Sequence, residues 1–171
     1  MGFADDIRAF VVKTEGKSNA VVRRTVVDVA TSLIMMSPVG NPALWASLQP
    51  SYRIMNKAGT KRLVRPKLEF KRQPPKGYAG GTFRANWQLG IGAVKPGELK
   101  ERDKNGGPTI AKVSAGIPAK PAGGVYYIGN NLPYGPALED GHSTQAPHGM
   151  VAITSLKFGG IVDQAVAGVN K

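Results

Sequence analysis

The chain has 171 residues, a formal net charge of +12 and no cysteine. This length fits one domain whose core buries roughly two-thirds of the unfolded surface, and the lack of thiols excludes disulfides and thiolate metal sites, in keeping with synthesis in a reducing cytoplasm. No run of about 18 apolar residues exists, so no membrane span is expected. Asp5 and Asp6 stand where a secretory leader needs positive charge, so no leader is expected either.

Phe3 to about Thr14 reads as a short helix with Asp5 and Asp6 in its first turn, where the helix dipole favours acids. Ile7, Phe10 and Val11 form its apolar stripe, and Gly16 is the expected stop. Ser18 then reads as the N-cap of a second helix running to about Met36. Val22, Val26, Val29, Leu33 and Met36 recur at steps of four and three, one face of a helix. Valine is a weak helix former, so packing must hold this element. Pro38 ends it, and Ser37 is pushed out of the helical region.

The least regular part runs from Val39 to Gly81, punctuated by Pro42, Pro50, Pro66, Pro74 and Pro75. Within it, Ser51–Met55 and Lys61–Phe70 alternate in part around Asn56-Lys57-Ala58-Gly59, which predicts a β-hairpin or an extended arm. A loop of this length inside a compact domain is unusual; an arm reaching a neighbour accounts for it. Thr82 to Gly92 alternates Phe83, Ala85, Trp87, Leu89 and Ile91 against polar residues and predicts a strand with one buried face. Lys95–Pro108 is polar and turn-rich. Thr109–Ala115 fits either a helical turn or a short strand, and Val125–Gly129 reads as a second strand. Pro136–Glu139 fits one helical turn. After Pro147, which suits the entry to a helix, Val151, Phe158, Ile161, Val162, Ala165, Val166 and Val169 share a helical face. Gly159-Gly160 is expected to kink or break that helix.

The charge is concentrated. From Ala46 to Gly77 there are nine basic residues (Arg53, Lys57, Lys61, Arg62, Arg65, Lys67, Lys71, Arg72 and Lys76) against a single acid, Glu69. A cationic segment of this kind meets nucleic acid or acidic protein surfaces. Tyr52, Phe70 and Tyr78 lie among the basic residues, as in single-strand binders, but no recognised nucleic-acid-binding signature is legible. Pairing with acidic surfaces of neighbouring subunits is the preferred reading, with contact to DNA as the alternative.

Both histidines, His142 and His148, lie in the Tyr126–Met150 stretch near Glu139 and Asp140. Their spacing, with Pro147 between them, does not fit a helical metal-binding pair, and no third histidine completes a zinc site. A Ser143/His148/Asp140 triad lacks a strand-to-helix scaffold. Gly77-Tyr78-Ala79-Gly80-Gly81 has no Gly-Lys-Ser/Thr ending, and Gly90-Ile91-Gly92 lacks the third glycine of a dinucleotide loop. No catalytic, cofactor or metal residues are therefore assigned, and an enzyme is not expected.

Four blocks carry a resemblance. They are Ser37-Pro38-Val39-Gly40-Asn41-Pro42 after the long helix; Pro75-Lys76-Gly77-Tyr78-Ala79-Gly80-Gly81-Thr82-Phe83-Arg84-Ala85-Asn86-Trp87-Gln88; Ile128 to Tyr134 with Leu138-Glu139-Asp140-Gly141-His142-Ser143; and Gln145 to Val151. In this order they resemble the tail-completion (neck) proteins of long-tailed double-stranded DNA phages, also called minor tail or head–tail joining proteins. The resemblance spans nearly the whole chain. It implies an α+β fold in which a small antiparallel sheet packs on a long N-terminal helix. It also implies a homo-oligomeric ring, usually hexameric, that caps the tail tube and joins it to the head connector. The implied partners are a head-completion or connector protein and a tail tube or tail terminator protein, and the implied location is the virion neck. About Ala46–Gln73 departs from the family pattern as an inserted basic arm. The expectation is thus one α+β domain over 1–171, with the sheet packed against the N-terminal and C-terminal helices. Its interface residues would be Arg53, Lys57, Lys61, Arg62, Arg65, Lys67, Lys71, Arg72, Tyr134, Glu139 and His142.

Overall fold

The computed structural model describes residues 3–41, 52–55, 61–64 and 79–170. The chain divides into two compact units, Gly40–Gly80 and a body made of Met1–Val39 with Gly81–Lys171. The fold is α+β: a small two-stranded antiparallel sheet packs with the N-terminal and C-terminal helices of the body.

Helix α1 runs without interruption from Phe3 to Met36, so the expected stop at Gly16 and the second start at Ser18 are both corrected. A mid-helix glycine costs only about 1 kcal/mol relative to alanine. Contacts distant in sequence grip the helix on either side of it. Glu15 pairs with Lys120 at 3.0 Å, and Lys17 Nζ donates to Asn170 Oδ1 at 2.9 Å. The helix ends where Pro38 was expected to end it. Ser37 is 1 % exposed, and its hydroxyl donates back to the Leu33 carbonyl.

In the Gly40–Gly80 unit, β1 (Tyr52–Met55) pairs antiparallel with β2 (Lys61–Val64), Tyr52 opposite Val64 and Met55 opposite Lys61. The expected hairpin is thus present in its strands; its turn and the rest of the expected arm lie outside the described residues.

The body resumes with a surprise at Thr82–Ala85, which is one helical turn, α2, rather than the start of a strand. The buried side chains alternate as expected, because Phe83, Ala85, Trp87 and Leu89 all lie in the core. The backbone differs because Asn86, fully buried, donates from Nδ2 to the Thr82 carbonyl and closes the turn. The strand proper is β3 (Trp87–Ile91), and Ile91, expected inside, is 53 % exposed. β3 pairs antiparallel with β4 (Tyr126–Asn130), Trp87 opposite Asn130 and Leu89 opposite Ile128.

Between them lies α3 (Gly107–Gly116), which settles the Thr109–Ala115 ambiguity as helix. A short helix α4 (Gly135–Glu139) and a long helix α5 (Val151–Val169) follow β4. Helix α5 starts four residues after Pro147, with Met150 as its N-cap, so the proline precedes the helix entry rather than forming it. The helix passes unbroken through Gly159-Gly160, against expectation. It lies antiparallel along α1, tied at one end by Ser32 Oγ to Thr154 Oγ1 at 2.9 Å and at the other by Lys17 to Asn170. That seam spans the glycine pair and offsets its helix-propensity cost of about 1 kcal/mol per residue.

The core sits where α1, α3 and one sheet face meet: Ile34 and Ala30 from α1, Phe83 from α2, Trp87 from β3, Val113 from α3, and Met150. Each large apolar side chain taken out of water there contributes about 1.5–3 kcal/mol. The sheet's other side is covered by the loop after β3. Asn131 Nδ2 donates to the Lys95 and Gly97 carbonyls, and Gln88 Nε2 also reaches Gly97. Gly90 permits this cover, since a Cβ there would collide with the Ala93 carbonyl oxygen. Among the described residues no helix is long and apolar enough to cross a membrane.

Candidate assembly surface

Two places hold the residues expected at an interface: the basic hairpin and the Tyr126–Met150 stretch. On the hairpin, Arg53 stands opposite Leu63 and Arg62 opposite Ile54. Neighbouring positions of a strand alternate between faces, so Lys61 and Arg62 occupy positions on opposite faces of the ribbon. Lys57, Arg65, Lys67, Lys71 and Arg72 lie outside the described residues.

The Tyr126–Met150 stretch is built largely by polar side chains that bond its own backbone or that of adjoining segments. Asn130 donates from Nδ2 to the Phe83 carbonyl and accepts the Leu132 N–H on Oδ1, which turns the chain after β4. Leu132 is buried, while Tyr134 is 45 % exposed and rests its ring 5.8 Å from that of Phe83. Tyr134 is thus part-exposed while its ring packs near that of the buried Phe83. His142 is exposed, with Nδ1 at 2.7 Å from the Ala137 carbonyl, the distance of a donated N–H bond. Ser143 Oγ accepts the Gln145 N–H. His142 thus bonds the backbone of α4, and Ser143 that of the loop that follows. Among the described residues no group of three or more His, Asp or Glu is gathered as a metal site.

Glu139, also expected at the interface, bonds within its own chain. Its Oε2 accepts the N–H groups of Met150 and Val151, and its Oε1 accepts that of Ala152. Both oxygens thus cap α5, satisfying donors that a helix start leaves unpaired. Burial pushes the Glu139 carboxyl up, but the three N–H bonds outweigh it and hold the group below the usual carboxylate range. Gly149 makes the approach possible: its φ is +73°, and a Cβ there would lie 2.6 Å from the Glu139 carbonyl oxygen.

A second carboxylate does the same for α3. Asp103 is 5 % exposed. Its Oδ1 accepts from Asn105 and Gly106, and its Oδ2 from the backbone and hydroxyl of Thr109. Burial raises this carboxyl, but the bonds from Thr109, Gly106 and Asn105 outweigh it and the net displacement is downward. The signal is present in Asp103-Lys-Asn-Gly-Gly-Pro-Thr, an acid before a glycine-proline helix start.

Three more organising residues lie in the motif blocks, but their bonding partners carry no local sequence signal. Arg84 donates from Nη2 to the Met35 and Ser37 carbonyls and from Nη1 to that of Lys104. It so caps the C-terminus of α1, while its Nε is buried without a partner. Ser37 Oγ accepts the indole N–H of Trp87 at 2.6 Å. Gln145 clamps Val39 with both ends of its amide, accepting the Val39 N–H and donating to the Val39 carbonyl. The result is a body held shut across the two places where the chain leaves it and returns. Comparison with protein-family models, curated proteins and solved structures finds no significant match to this chain.

Proposed function

We propose that this chain is a structural protein of a phage particle, a ring-forming adaptor in the neck that joins the head connector to the tail tube. The observation that carries the reading is the segregation of charge. Nine basic residues against one acid fall in the Gly40–Gly80 unit, while the body closes on itself through Ser37, Arg84 and Gln145. A self-sufficient body with a cationic appendage suits an adaptor: the body forms the ring, and the appendage latches onto acidic surfaces of neighbouring subunits. Cyclic closure requires heterologous contacts, two different faces on each copy. Charge on one segment steers such contacts and sets their register. The ordered motif blocks from Ser37-Pro38 to His148-Gly149 support the same family. The partners are further copies of the chain, six in a ring, a head-completion or connector protein, and a tail tube or terminator protein.

Antibody labelling of purified phage particles tests the location. Label at the head–tail junction is expected, and its absence from the particle overturns the reading. Deleting Ala46–Gln73 tests the appendage. The variant should keep a folded body by circular dichroism yet give particles whose heads and tails stay separate. Normal joining by the deleted chain removes the appendage from the mechanism.

The interleaving of Tyr52, Phe70 and Tyr78 with lysine and arginine favours a second reading, a basic nucleic-acid-binding protein. It requires DNA binding that weakens steeply with salt and no ring alone or with tail proteins.

A further inference from the structure

The first turns of α1 leave an apolar stripe open. Phe10 is 66 % exposed, Val11 54 % and Ile7 47 %. The stripe is not a separate surface. Counting back from Ser32, which bonds α5, in alternate steps of four and three leads through Thr25 and Ser18 to Thr14, Val11 and Ile7. Ile7, Val11 and Thr14 therefore prolong the seam that α5 covers. The described end of α5 reaches the level of Lys17, where Asn170 bonds it, and Ile7 stands about 15 Å further along the helix at 1.5 Å per residue.

Charge identifies what fits there. Asp6 and Lys13 lie on the same flank of the stripe, seven residues or about two turns apart. A second copy of this helix, laid antiparallel with its centre near Phe10, brings each Asp6 against the Lys13 of the other copy. Arg8 and Glu15 lie on the other flank. These two now hold exposed partners in their own chain, Asp5 and Lys120. A parallel pair would bring opposite flanks together and would draw on Arg8 and Glu15, taking them from Asp5 and Lys120, whereas the antiparallel pair forms its Asp6–Lys13 contacts without disturbing those bonds.

We propose that residues 4–14 of α1 are a self-association site, in which two copies pack antiparallel through Ile7, Phe10 and Val11 with Asp6–Lys13 pairs on the flank. The contact is isologous, so it does not depend on the ring reading. A two-fold pair cannot persist within a polar ring between head and tail, which makes it a property of the free protein. A single helix pair buries less than the roughly 800 Å² per partner of a standard interface, so the dimer is concentration-dependent.

Sedimentation equilibrium of the full chain over a concentration series tests this. A monomer–dimer equilibrium is expected, and a monomer throughout up to hundreds of micromolar, or a larger ring with no dimer, overturns the proposal. Phe10→Asp should raise the dimer dissociation constant about 30-fold or more, the effect of losing a central anchor. Asp6→Lys and Lys13→Asp should each weaken the dimer a few-fold, and the double variant should restore it. Failure of the swap to restore pairing overturns the antiparallel arrangement. Leu156→Asp on the exposed face of α5 should leave the dimer intact; loss of dimer in that variant but not in Phe10→Asp also overturns the proposal.

Discussion

Asp103 and Glu139 perform one task at the starts of two helices, and they do it at different range. Asp103 sits four residues before α3 and reaches donors two, three and six residues ahead. Glu139 belongs to a separate helix and reaches donors eleven to thirteen residues ahead, across a loop that must fold back first. The local cap is 5 % exposed and binds a hydroxyl as well as amides; the remote cap is half-buried and binds amides alone. The same carboxylate chemistry therefore serves in one case to start a helix and in the other to fix where a helix starts relative to the rest of the body.

That contrast sets the size of the expected effects. Asp103→Ala leaves several donors unpaired in a buried place and should cost about 3 kcal/mol, read from the urea midpoint. Gly149→Ala forces a side chain into a positive-φ position against Glu139 and should cost about 2 kcal/mol. Glu139→Ala should cost about 1.5 kcal/mol, with faster amide exchange confined to Met150–Ala152. In a double-mutant cycle Gly149→Ala and Glu139→Ala should add to less than their sum, because both remove one cap. Full additivity would show that the remote cap is not one unit. Both carboxyls titrate below their unfolded values. Their contribution is therefore complete above the unfolded carboxylate range, about pH 4, and is lost as pH falls through the folded values. Asp103→Asn and Glu139→Gln should each flatten that acid limb. The smallest effect tests helix propensity alone. Gly159 has open space around its Cβ position, so Gly159→Ala should stabilise by up to about 1 kcal/mol. It should offset the losses in Glu139→Ala and Asp103→Ala by the same amount, since distant sites add.

Range also governs what could be read in advance. Periodicity located β3, β4 and α5, although Val151, Phe158 and Val166 of the expected apolar face of α5 are exposed; Pro38 marked the end of α1, and the turn of α4 buries none of its residues. Periodicity failed at Gly16 and Gly159-Gly160, where local propensity argues for a break and the antiparallel seam overrules it. It failed at Thr82–Ala85 because buried alternation fits a strand and a turn alike, and Asn86 decides between them through a bond to Thr82. In the candidate surface, Tyr134 and His142 do lie exposed. Glu139 was singled out for its position in a motif, and only the folded chain shows its oxygens turned to α5. Gln145, Arg84 and Ser37 act on carbonyls and rings 47 to 106 residues away, a distance at which no pattern in the chain announces them.

The clamp on Val39 has a counterpart at the other port. The Gly81 carbonyl accepts the N–H groups of Ala85 and Asp103, so the outgoing and returning strands of chain are each held by the body itself. For chain between two such anchors the loop-closure cost grows slowly, about 0.6 kcal/mol per doubling of length. A fourfold change in the length of the Gly40–Gly80 excursion would then move the body by only about 1 kcal/mol. On that term alone, lengthening or trimming the cationic segment at this point costs the scaffold little.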